Sequence, residues 1–196
     1  MRLKNSVLGL AAVVLAAGVF AADTYKLDAS HASVGFSVKH LSLSNTKGTF
    51  PKLSGALVLD EKNIGKSSVE VTLDAASVNT NDENRDKHLR AADFFDVEKF
   101  PTITFKSTKV VRKDDGYVAT GDLTIKGVTK SVDIPFTLSG PTDHPMAPLS
   151  VLAIDGGLTI NRRDFNITYA PAAVIGDSVK IDLQVEFNRP RPEAKK

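Results

Sequence analysis

Strict alternation of apolar and polar residues is the feature that most constrains this chain. Val34, Phe36 and Val38 alternate with Gly35, Ser37 and Lys39. Val69, Val71 and Leu73 alternate with Glu70, Thr72 and Asp74, and Ile103 and Phe105 with Thr102, Thr104 and Lys106. The run Val132, Ile134, Phe136, Leu138 is interleaved with Asp133, Pro135, Thr137 and Ser139. The longest run, Val179, Ile181, Leu183, Val185 and Phe187, has a polar residue at every intervening position. A period of two means strands with one apolar face and one wet face, and such strands belong to antiparallel sheets.

Turn signals punctuate these runs. Asp115-Gly116, Lys126-Gly127 and Asn63-Ile64-Gly65 mark short connections, and the stretch from Gly140 to Pro148, with Pro141, Pro145 and Pro148, reads as a longer proline-rich loop. The pattern predicts eight or nine strands, near 24–28, 32–40, 47–60 (with a break), 67–75, 102–112, 116–126, 129–139, 149–161 and 177–188. One segment departs from period two. Thr80-Asn81-Asp82-Glu83 has the form of a capping box, and good helix formers follow to Ala92, predicting one short helix over 82–92. No repeat or linker divides the chain after residue 22, so it reads as one all-β domain over 22–196.

About eight antiparallel strands leave a sandwich or a closed barrel. Eight strands close on a lumen wide enough for side chains or one slim ligand. A 12-residue strand tilted near 40° gives a lumen of about 30 Å, the scale of a long lipid tail.

The first residues read differently. Arg2 and Lys4 precede an apolar run from Leu8 to Phe20, and Val19-Phe20-Ala21 suits a cleavage site. This predicts a secretory signal peptide over 1–21, cut at or beside Ala21, and hence a periplasmic protein; the run is short for a membrane anchor, the other reading. There is no Cys anywhere, which excludes disulfides, thiolate metal sites and Cys nucleophiles. The domain is therefore held by burial alone, and a chain of this size buries roughly 70% of its unfolded surface. Without Arg2 and Lys4, 23 basic residues balance 23 acidic ones, so the broad basic field of a nucleic-acid binder is missing.

Individual motifs carry little. Asp60 to Ser67 ends like a phosphate-binding loop but lacks the first Gly, and a strand follows rather than a helix. Asn166-Ile167-Thr168 fits a glycosylation acceptor, a pattern common by chance. No Gly-x-Ser-x-Gly elbow or His-Glu-x-x-His pair is present, and His31, His40, His88 and His144 have no metal-ligand spacing. The densest constellation is Asn84-Arg85-Asp86-Lys87-His88-Leu89-Arg90 followed by Asp93-Phe94-Phe95-Asp96. It reads as a polar helix docked by an aromatic pair that must bury, closing one barrel mouth or touching a ligand directly.

Taken together, three blocks resemble the YceI-like, polyisoprenoid-binding family. They are Arg85-Asp86-x-His88-Leu89-Arg90-x-x-Asp93-Phe94-Phe95-Asp96, Phe100-Pro101-x-Ile103-x-Phe105, and Gly121-Asp122-Leu123-Thr124-Ile125-x-Gly127-Val128-Thr129-Lys130. Asp28-x-x-His31-x-x-Val34-x-Phe36-x-Val38-x-His40 and Arg163-Asp164-Phe165-Asn166 agree, so the resemblance covers 23 to about 188. Asn166 stands where many members have Gly, and Asn tolerates a left-handed backbone. The resemblance implies a lipocalin-like, eight-stranded antiparallel barrel whose apolar pore holds a polyprenyl pyrophosphate or isoprenoid quinone. It also implies export and a part in lipid transport or stress responses.

The residues that would do this follow from the pattern. Phe36, Val38, Phe94, Phe95, Ile103, Phe105, Ile134 and Phe136 are the expected apolar pore, with Lys39, Glu70, Lys106 and Asp133 outside. His31, Arg85, His88 and Arg90 are the candidate head-group contacts. The expected partner is an isoprenoid lipid bound non-covalently, without cofactor, metal, catalytic residue or nucleic acid. Transient membrane contact and a monomer or homodimer are compatible with this. Two alternatives stay open: a lipid hydrolase using Asp86 and His88 as acid and base, and a structural barrel with a packed core.

Overall fold

The computed structural model describes residues 22–191, so the segment read as a signal peptide lies outside the described residues. Among the described residues there are nine strands: β1 Asp23–His40, β2 Ser44–Thr49, β3 Leu53–Leu59, β4 Ser68–Asp74, β5 Thr102–Lys113, β6 Gly116–Ile125, β7 Val128–Asp143, β8 Leu149–Asn161 and β9 Ile175–Pro190. Each pairs antiparallel with its neighbours. The ladder runs from β3 through β9, and β9 returns to β1 over Lys26↔Asn188 to His40↔Ile175. This closes an eight-strand antiparallel barrel, with β2 as a short extra strand on the second half of β1. Closure removes the free sheet edges that an open sheet would leave. The whole ladder lies within residues 23–190.

Two boundaries differ from the sequence pattern, and a third, the break expected within 47–60, is located. The expected strands 24–28 and 32–40 are one bent strand, β1, with a bulge between Leu27 and Ala32. The expected 47–60 strand divides into β2 and β3 at Phe50-Pro51-Lys52, where Pro51 lacks the N–H that a ladder needs. The proline-rich loop is shorter than expected, because β7 continues to Asp143 and absorbs Pro141 at a register shift between Ser139 and Thr142.

The helix, α1, spans Glu83–Arg90 rather than 82–92. Its cap is Asp82, whose carboxylate accepts from the Arg85 backbone N–H at 2.9 Å, and not Thr80. The reason is local: Asn81 has φ +61°, so the chain turns between Thr80 and the first helical residue. Thr80 is used otherwise, donating its backbone N–H (2.8 Å) and its hydroxyl to the buried Asp86 carboxylate. That pair straps the inner side of the helix to the segment before it.

The core is the inner face of the barrel. One end is closed by Tyr25, Leu57, Leu59, Leu152 and Phe187, all buried, near the start of β1. The fully buried Tyr25 ring carries the Arg189 guanidinium over its face at 5.2 Å. At the opposite end, where β4 stops at Asp74 and β5 begins at Thr102, the chain makes α1 and the turns to Phe100.

Candidate functional site

The inward residues do not fill the barrel. They surround a cavity of about 210 Å³, the liquid volume of about seven water molecules. All eight apolar residues singled out from the sequence, Phe36, Val38, Phe94, Phe95, Ile103, Phe105, Ile134 and Phe136, line it. Their neighbours on the same faces, such as Val71, Leu158 and Val185, complete the wall. Lys39, Glu70, Lys106 and Asp133 are exposed, so the alternation sorts inside from outside as the period requires. The surface of the cavity is apolar throughout. A cavity of this kind disfavours water, which would lose hydrogen bonds there, and favours an apolar guest.

The cover at the helix end is aromatic. Leu89 of α1 and Phe94 and Phe95 beyond it face the cavity. A run of rings connects wall to cover: Phe36 to Phe50 at 5.8 Å, and Phe50 edge-on to Phe95 at 5.5 Å. A second set joins the cover to the loop before β9. His88 meets Phe94 and Tyr169 edge-on, each at 4.9 Å, and Phe94 and Tyr169 are 5.2 Å apart.

The four candidate head-group residues are not brought together. Arg85, His88 and Arg90 lie on α1, while His31 lies on the β1 bulge facing the second half of β9. Arg85 donates Nε to the Thr80 hydroxyl at 2.7 Å and Nη2 to its carbonyl at 2.8 Å. Arg90 donates Nε to the Ala76 carbonyl at 2.8 Å and Nη2 to that of Val78 at 3.3 Å. Both arginines hold the helix onto the 75–80 segment through its Ala76, Val78 and Thr80 carbonyls, which no strand pairing satisfies. His88 sits at the mouth, with Nε2 3.0 Å from an Asp93 carboxylate oxygen. Asp86 is engaged by Thr80, so it and His88 have separate partners.

His31 belongs to a surface cluster. Its Nδ1 is 3.1 Å from Asp28 Oδ2, and the Ser30 hydroxyl and backbone N–H donate to Asp28 Oδ1 at 2.6 and 3.0 Å. The Ser30 hydroxyl and the His31 ring hold the Asp28 carboxyl down at about 2. The same hydrogen bond to Asp28 pushes the His31 imidazole up.

Sequence reasoning missed Arg162. It lines the cavity, yet its side chain is only 4% exposed and turns every donor away from the lumen. Nε donates to the Gly176 carbonyl, Nη1 to Ile167 and Tyr169, and Nη2 to Ala170 and Ile175, at 2.8–3.1 Å. Asp177 balances the charge at 3.0 Å. One buried guanidinium thus shapes the whole loop that supplies Tyr169 to the mouth. The signal was there: Leu158, Ile160 and Arg162 share one face of the period-two pattern, so a cation stands at an inward position. Asn166 closes this turn with φ +57°, the left-handed conformation expected of it. The proline-rich turn lies at the barrel's other end, and none of residues 141–148 lines the cavity.

The comparisons with known proteins agree with this architecture. The YceI-like domain family model matches residues 25–187. Protein YceI of an Escherichia coli strain is 41% identical over 169 residues, covering 84% of this chain and 88% of that protein. The crystal structure of BcnA from Burkholderia cenocepacia superposes with a TM-score of 0.74 at 26% identity, over 82% of this chain and 98% of that one. A polyisoprenoid binding domain from Saccharophagus degradans has the same fold, with a TM-score of 0.65 at 17% identity over 85% and 98% of the two chains.

Proposed function

The chain belongs to the YceI-like family, and from that membership and the apolar lumen we propose that it is an exported carrier holding the isoprenoid chain of a polyprenyl pyrophosphate or quinone. The observation that carries this is the cavity surface, apolar throughout although Arg162 and Thr104 contribute to it. Such a surface recognises a tail and nothing else. Each square ångström of tail removed from water is worth about 25 cal/mol, so affinity grows with buried chain length. The structural relative described as a polyisoprenoid binding domain supports the same class of ligand. Export rests on the segment 1–21 read from sequence and on no described residue.

The head group then lies outside the lumen. His88 at the mouth is the sequence candidate best placed to meet it, since Arg85 and Arg90 are engaged by carbonyls and His31 is on the wall. Competition against a fluorescent prenyl probe tests the reading. A polyprenyl pyrophosphate, the matching alcohol and a quinone with the same tail should displace it with similar affinities. Added salt should weaken only the pyrophosphate, and only slightly. Displacement by free pyrophosphate, or none by the alcohol and quinone, would overturn it.

A further inference from the structure

Among the described residues, five large apolar side chains are exposed: Leu41, Leu43, Met146, Tyr169 and Val174. Four of them stand at one place. Leu41 and Leu43 form the tip between β1 and β2, and Tyr169 and Val174 lie on the loop before β9. The Leu41 backbone N–H donates to the Val174 carbonyl at 2.9 Å, which joins the two segments. Leu43 is 83% exposed, and Pro171, Ala172 and Ala173 of the adjoining loop are exposed too. Exposed apolar residues scattered singly need no explanation, but a grouped set of them does.

The patch adjoins the mouth of the lumen. Val38 and Ile175, three residues before Leu41 and one after Val174, line the cavity, and Tyr169 packs on lumen-lining Phe94. Its charge is one-sided. The chain has no Asp or Glu from residue 29 to 59, but carries Lys39 and Lys47 there, with Lys52 paired to Asp74 at 3.9 Å, and residues 165–176 hold no charge at all. Lys39 stands beside Gly176, and Lys39 and Lys47 are exposed. The nearest β9 carboxylate, Asp177, is held by Arg162 and Arg163 at 3.0 and 2.7 Å. The Asp93 carboxylate faces His88.

We propose that the β1–β2 tip and the 169–174 loop dock the barrel mouth onto the surface of an anionic lipid bilayer. This rests on the lipid-carrier reading and adds to it a route: a tail passes between membrane and lumen without crossing water. Two protruding turn tips with flanking lysines suit a deformable bilayer surface, where leucines enter the acyl boundary and lysines meet anionic headgroups. A protein partner needs a broad complementary face instead.

The test is sedimentation of residues 22–196, which contain the whole ladder, with phosphatidylcholine vesicles and with vesicles that also contain phosphatidylglycerol. Binding should favour the anionic vesicles. L43S should lower the partition about tenfold or more, since burying one leucine is worth at least that. K39Q with K47Q should remove most of the anionic preference, about fivefold per lysine. Retention of a soluble prenyl probe by every variant keeps the lumen reading separate and shows that each is folded. Equal sedimentation of wild type and L41S/L43S, or no binding to either vesicle, would overturn the proposal. So would a dimer in solution that L43S dissociates, because the patch would then belong to a second copy.

Discussion

The ring of Phe36 lies directly on Gly48 across the β1–β2 pair. A β-carbon built on Gly48 would stand 2.5 Å from Phe36 Cζ and 2.7 Å from Thr80 Cγ2. The missing side chain is what lets Phe36 lie back against the wall and leave the lumen open. Gly48→Ala should therefore force the ring inward, costing about 1–3 kcal/mol from overpacking and reducing lipid capacity. Thermal melting and the amount of lipid extracted per mole of protein check the two effects together. Unchanged capacity would show that Phe36 does not limit the lumen.

Arg162 makes a second prediction. Its five N–H groups meet five carbonyls between Ile167 and Gly176. Lysine has three donors and no planar fork, so Arg162→Lys should leave buried carbonyls unmet and cost about 3 kcal/mol or more. Hydrogen exchange should accelerate in 167–176 before it does in β5 or β6. Uniform acceleration across the barrel would contradict a local role.

The cluster on the β1 bulge gives a pH dependence. Asp28 is depressed to about 2, so the stability it contributes is present above the ordinary carboxylate value near 3.8 and is lost as pH falls toward 2. His31 is raised, so its contribution is present below 6.5 and is lost as pH climbs through its elevated value. In Asp28→Asn the hydrogen bond that is the main cause of the His31 shift becomes neutral, and NMR titration should show His31 falling back toward 6.5. A titration unchanged by the substitution would mean that Asp28 is not that cause.

These sites differ in how far the sequence discloses them. The cavity wall was legible because alternation assigns a face to each strand residue: the six strand positions chosen on that basis, and the Phe94-Phe95 pair chosen because it must bury, meet in one cavity. The helix was legible as an element, yet its cap was misplaced. Thr80 and Asp82 are both good caps by type, and only the positive φ at Asn81 decides between them. Arg85 and Arg90 read as candidate contacts for an anionic head group. Their partners are carbonyls of irregular chain at 76–80, and no side-chain pattern encodes a carbonyl left over by a turn. Arg162 is the opposite case, an inward cation visible in the period but without an expected partner until the 166–176 loop is folded over it.

The barrel interior is proposed to be a lipid-binding lumen rather than a packed core. Phe136 decides it most directly, since it lines the cavity and stacks on Tyr117 at 5.5 Å. A carboxylate in a sealed core is very expensive, whereas one in a vacated lumen is hydrated. The measurement is mass spectrometry of organic extracts from purified wild type and Phe136→Asp, with the melting temperature of each. The wild type should carry isoprenoid lipid and the variant none, and the variant should still fold with a melting temperature only several degrees lower, about 2–4 °C per kcal/mol lost. A wild type without lipid, beside a Phe136→Asp variant that does not fold, would contradict it.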